Sequence, residues 1–141
     1  MKILTRDFGE VEAAPEDIIT FASPMFGFED LTQYIFLFAE ENTNFVWLQS
    51  VENPHICFIL ADPKLVEDHY TPKLSADVQK QLGEGEYLFW LVVVVAQDFP
   101  KSTINMKSPV IVNLQTKRAV QTILDEDFPI RRPLVGSQEG R

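Results

Sequence analysis

The sequence predicts an all-β fold: a single-domain antiparallel β-barrel-like fold of about ten short strands with one short helix. Three observations predict it. Short apolar runs recur at regular spacing, each bounded by Gly, Pro, Asn or Asp. Only one stretch carries both a helix start and a helix stop. The most apolar run, "YLFWLVVVVA" from Tyr87 to Ala96, is too rich in β-branched and aromatic side chains for a helix.

From the start, "KILTRDF" and "GEVEA" read as a hairpin turned at Gly9, and "DIITF" as a third strand. In "ASPMFGFED", Pro24 and Gly27 mark a loop whose Met25, Phe26 and Phe28 are expected to tuck into the core. "EDLTQY" suggests one helical turn before the strand "YIFLFA" (Tyr34 to Ala39), and "EENTN" a polar turn. "FVWLQSVENPHICFILADP" (Phe45 to Pro63) reads as two strands over a turn begun by Asn53-Pro54 and ended at Asp62-Pro63.

In "LSADVQKQLG", Ser75 is a good N-cap, Asp77 lies in the first turn, and Gly83 stands where a helix stops. Val78 and Leu82, one turn apart, form its packing face. The run from Tyr87 to Ala96 is expected to be a long central strand, apolar on both faces. In "TINMKSPVIVNLQTKRAVQTIL", Ile104 and Met106 face one way and Thr103, Asn105 and Lys107 the other; Ser108-Pro109 marks a bulge or edge. "VIVNL" and "AVQTIL" pair across "QTKR", and "FPIRRPL" is a last short strand. The barrel domain is placed at residues 1–135 and a loose tail at 136–141.

Composition bounds the function. Apolar residues make up 45% and charged residues 23%, the balance of a soluble globular domain. The single cysteine, Cys57, cannot form an internal disulfide, which fits a reducing cytoplasm. The first residues hold no apolar run of signal-peptide length, and the run from Tyr87 to Ala96 is about half the ~20 residues of a membrane helix. Twenty-one acids against twelve bases give a net charge of −9. Such a chain repels phosphate backbones, so direct nucleic-acid binding is disfavoured and basic proteins are the favoured partners.

No phosphate loop, dinucleotide fingerprint or nucleophile elbow is present, and no carboxylate pair leaves the predicted turns. His55, Cys57 and His69 are the right residue types for zinc, but they provide neither four ligands nor a supporting second layer of contacts. The expectation is no metal, no cofactor and no catalysis. Arg131-Arg132 reads as surface charge. Two polar groups remain as candidate protein-binding residues: Gln49, Ser50, Glu52 and Asn53 at a strand end and its turn, and Thr103, Asn105 and Lys107 on one strand face. The competing reading is that they satisfy turns and bulges.

Several stretches, in order and over nearly the whole chain, resemble the flagellar assembly factor FliW family. "FVWLQSVENP" resembles its aromatic-x-Trp-Leu-Gln-Ser strand, "GFED" (Gly27 to Asp30) the end of its glycine-rich loop, and "TINMKSPVIVN" (Thr103 to Asn113) its Thr-x-Asn-Leu-x-x-Pro-Ile-Val-Ile-Asn segment, continued by Gln121. Pro24, Met25 and Phe26 depart from the family loop, and Met106 replaces leucine at similar volume. The resemblance implies a non-catalytic barrel, monomer or weak oligomer, that binds flagellin and the translational repressor CsrA in turn, relieving repression of flagellin mRNA. The alternatives are a flagellin chaperone without a CsrA role, and a small ligand-binding barrel or enzyme.

Overall fold

Residues 1–38 and 44–134 are described by a computed structural model, and structural statements refer to them. The end of the strand read to Ala39, most of the "EENTN" turn, and the tail with its boundary at residue 135 lie outside the described residues.

Two strands, β1 (Lys2–Leu4) and β2 (Glu10–Glu12), form a separate antiparallel hairpin. Gly9 takes φ +67°, the left-handed backbone this turn needs, and its carbonyl accepts from the Thr5 N–H at 3.0 Å. The main sheet holds β3 (Ile19–Ser23), β4 (Gln33–Leu37), β5 (Phe45–Ser50), β6 (Cys57–Ala61), β7 (Tyr87–Val94), β8 (Thr103–Asn113), β9 (Arg118–Gln121) and β10 (Arg132–Pro133). From β3 to β9 each strand pairs antiparallel with the next, and β9 then pairs with β3, in parallel, through Phe21 and Ala119. The ring closes as a seven-stranded barrel, with β10 added outside it on the start of β8. The parallel pair is the one departure from the expected all-antiparallel sheet. It removes the two edges that an open sheet would expose.

Alternation along the strands sends one set of side chains into the barrel. Ile19, Phe21, Tyr34, Leu48, Leu60 and Val110 are buried together there. The outward set is covered in three places. The β1–β2 hairpin lays Ile3 and Ala13 on Ile35; the helix α1 (Ala76–Leu82) lays Val78 and Leu82 on Ile111 and Val120. The third cover comes from Tyr70 and Leu124, packed on Leu91, Ile104 and Met106.

β7 places apolar side chains on both faces, as expected, with Trp90 and Val92 packed towards the barrel interior and Phe89 under the outer cover. Leu91 and Val93 are buried under the outer cover, but Leu88 and Val94 are exposed. Phe26 is likewise exposed rather than in the core, while Met25 is buried and Phe28 packs edge-on against Phe58. The expected helical turn at "EDLTQY" is instead one tight turn, Leu31 N–H to the Phe28 carbonyl, which follows another in the preceding loop, Phe28 N–H to the Met25 carbonyl.

The Ser108-Pro109 irregularity is a large bulge. Trp90 pairs with Val110 and Val92 with Asn105, so Leu91 alone stands opposite Met106–Pro109. The released backbone groups of β8 are taken up by the cover. Met106 N–H donates to the Pro129 carbonyl at 2.9 Å, Leu124 N–H to the Lys107 carbonyl at 2.8 Å, and the Tyr70 hydroxyl to the Met106 carbonyl at 2.7 Å. Burial pushes the Tyr70 hydroxyl pKa up, with Glu126 adding to the rise, so it stays a donor.

The helix follows its sequence signals. The Ser75 side chain accepts from Val78 N–H at 3.1 Å, and Gly83 ends the helix at φ +84°. Replacing Ser75 with alanine is expected to cost about 1 kcal/mol, read as a lower urea midpoint with unchanged slope.

Candidate protein-binding site

The two predicted polar groups both belong to the end of the barrel away from Phe38 and Leu114, since β5 finishes there and β8 begins there. Among the described residues no hydrogen bond joins one group to the other. They are two turns with separate internal bonding.

Gln49 and Ser50 do not lie on the surface. Both are fully buried. The Gln49 Nε2 group donates to the carbonyls of Ser50, Pro54 and Ile56 at 3.0, 3.2 and 3.2 Å, and its Oε1 accepts from Arg6 N–H at 3.0 Å. One amide thus ties the β5–β6 turn to the chain entering the β1–β2 turn. Ser50 Oγ accepts from the backbone of Glu52 and Asn53 at 3.0 and 2.9 Å, and Asn53 Oδ1 accepts from His55 N–H at 3.0 Å. Polar residues end this strand because the turn's backbone groups need partners.

Glu52 is exposed, and its Oε1 accepts from the backbone of Thr32 and Gln33 at 2.7 and 3.0 Å. In the second group, Thr103, Asn105 and Lys107 are each half-buried. Asn105 Oδ1 accepts from the N–H groups of Lys107 and Ser108 at 3.0 and 3.1 Å, which shapes the bulge. Lys107 Nζ donates to the Glu126 carbonyl at 2.9 Å. Thr103 sits opposite Val94 and Pro133.

Two further motif residues act like Gln49. Asn113, fully buried, donates through Nδ2 to the carbonyls of Leu82 and Glu84 at 3.0 Å each, and accepts at Oδ1 from Gln115 and Thr116 N–H. It joins the helix end to the β8–β9 turn. Gln121 accepts from Phe26 N–H at 2.8 Å and donates to the Ser108 carbonyl at 3.1 Å. It holds the "GFED" loop, where Gly27 takes φ +88°, against the bulge. The loop therefore keeps its anchor although Pro24, Met25 and Phe26 differ from the family pattern.

Metal-type residues do not converge. Among the described residues no group of three His, Cys, Asp or Glu could hold a metal ion. Cys57 is buried, and that burial pushes its thiol up to about 11; nearby Arg6 acts in the opposite sense. His55 and His69 are exposed. The buried Tyr34 hydroxyl, with no hydrogen-bond partner among the described residues, is pushed up to about 12 by desolvation, with Glu52 adding to the rise. No helix of the described residues is long and apolar enough to cross a membrane.

A different part of the surface was not signalled by the sequence. Phe38, Leu88 and Leu114 are exposed at the opposite end of the barrel, beside the half-buried rings of Phe36 and Trp90, whose centroids are 6.2 Å apart. Each belongs to an apolar strand or its extension, and such residues read as core until the strand's end is located. A cleft of about 350 Å³ opens there between the Asp62–Thr71 segment and the first half of β7.

A protein-family model described as FliW protein matches residues 2–134. The flagellar assembly factor FliW of Caldanaerobacter subterraneus subsp. tengcongensis is 33% identical over 140 residues, spanning 96% of this chain and 93% of that protein. The protein of the same name from Thermotoga petrophila is 37% identical over 136 residues, spanning 93% and 91%. A crystal structure of the flagellar assembly factor FliW matches with a TM-score of 0.86 at 28% identity, over 95% of this chain and 96% of that one.

Replacing Gln49 with leucine strands the Arg6 N–H and turn carbonyls in a buried site. The expected loss is about 1–3 kcal/mol, measured by urea unfolding. A loss within error of zero would remove the amide's assigned role.

Proposed function

The chain belongs to the FliW family, and from that premise we propose that it is a non-catalytic cytoplasmic regulator of flagellar assembly that binds flagellin and the repressor CsrA in turn. The observation that carries the reading is the full-length family match, residues 2–134, on a barrel of the same fold. Bound to CsrA, the protein relieves repression of flagellin mRNA; newly made flagellin captures it and frees CsrA to repress again.

The charge supports this division of labour. A net charge of −9 leaves the protein a poor ligand for RNA and a good one for a basic RNA-binding protein. Seated on CsrA, it projects negative potential towards incoming phosphates, weakening RNA binding by field as well as by shape. Partner contacts run through the accessible parts of Glu52, Asn53, Thr103, Asn105 and Lys107, with Gln49 and Ser50 supporting the first turn from beneath.

Calorimetric titration with flagellin and with CsrA, at low and moderate salt, tests the reading. Binding to both is expected, each excluding the other, with the CsrA affinity falling as salt rises. Binding to flagellin alone would reduce the protein to a chaperone, and binding to neither would overturn the proposal.

A further inference from the structure

The barrel is not equally paired all round. β7 pairs with β8 along nearly its whole length, from Tyr87–Asn113 to Val94–Thr103. On its other side it pairs with β6 at two positions only, Ala61–Leu91 and Leu60–Val92. Beyond Ala61 the chain cannot continue the ladder. Pro63 lacks an N–H, and Pro63–Leu65 is a 3-10 turn in which the Asp62 side chain accepts from Lys64 N–H. The β6-facing edge of Tyr87–Trp90 is therefore left without a strand partner among the described residues.

That edge forms one wall of the cleft of about 350 Å³. A strand's backbone alternates its N–H and C=O groups between its two sides, so half of those in this stretch point into the cleft. The cleft floor is apolar where Leu88, 42% exposed, and Trp90 reach it. Its opposite rim carries the exposed acids Glu67 and Asp68 with the half-buried Asp62, against one cation, Lys64.

We infer that the Tyr87–Trp90 edge is a strand-addition site for an extended, basic segment of a partner protein. Main-chain hydrogen bonds to β7 supply the affinity, alternate side chains of the segment settle on Leu88 and Trp90, and the intervening Lys or Arg groups face Glu67 and Asp68. A helix has no free backbone groups to offer this edge, and an acidic segment would meet like charge. The inference stands apart from the proposed function and does not depend on it.

The probe is a short capped peptide of alternating lysine and valine, with two derivatives N-methylated on its odd or its even residues. N-methylation removes donors from one edge of an extended chain only. Saturable binding of the parent is expected, with about tenfold loss for one derivative and near-parent affinity for the other. Amide exchange within Leu88–Trp90 should slow on binding, and the Glu67→Gln/Asp68→Asn variant should bind several-fold more weakly at low salt, about the effect of exposed charges. Equal behaviour of the two derivatives, or no slowed amide within Leu88–Trp90, would overturn strand addition. Failure of the parent peptide to bind would overturn it as well.

Discussion

Buried backbone groups at the ends of a small barrel must be paired, and three side-chain amides meet that demand here. Gln49, Asn113 and Gln121 each reach backbone atoms of more than one segment, and all three are buried. A buried carbonyl or N–H left unpaired costs about 1–3 kcal/mol, so each amide offsets several such costs at once. Each carries both donors and an acceptor, which lets it bridge one turn to another. The result is a set of turns fixed in place by side-chain amides.

Barrel closure makes these clips necessary. The parallel β3–β9 pair brings the ends of the sheet together, and the large bulge in β8 accompanies the register change opposite β7. The bulge frees backbone groups, which the segment after β9 takes up. Neutral amides meet the buried demands, and the carboxylates that give the chain its net charge of −9 stay out of the core, Glu52 among them while it accepts from the Thr32 and Gln33 backbone. An interior paired by neutral amides and an acidic exterior are what the proposed regulator needs: a barrel that presents its charge at the surface.

Much of this fold was legible in the chain. The Gly9 hairpin, the Ser75–Gly83 helix and the Ser108-Pro109 bulge follow from local chemistry, because the residues that make them are neighbours. The parallel closure was not legible, since Phe21 and Ala119 meet only after every intervening strand has packed. The candidate site was harder. A glutamine ending a strand looks the same whether water or the Arg6 backbone is its partner, so Gln49 and Ser50 read as surface and proved to be buried supports. Phe26 erred the other way: its ring looked like core, but Met25 takes the interior position. Leu88 and Trp90 read as strand core, and the short reach of β6 beside them could not be inferred from composition.

The family motifs that first suggested a relationship are, in large part, these structural clips. Sequence likeness in the Gln-Ser turn, the glycine loop and the Val-Ile-Val-Asn strand tracks the fold. The most direct test of the regulatory account is RNA release. A labelled flagellin-leader RNA would be bound to CsrA, this protein added, and flagellin added last, at matched CsrA occupancy and two salt concentrations. The account predicts loss of bound RNA, recovery when flagellin arrives, and weaker displacement at the higher salt. RNA that stays on CsrA at full occupancy would contradict the regulatory role, and displacement indifferent to salt would contradict its electrostatic basis.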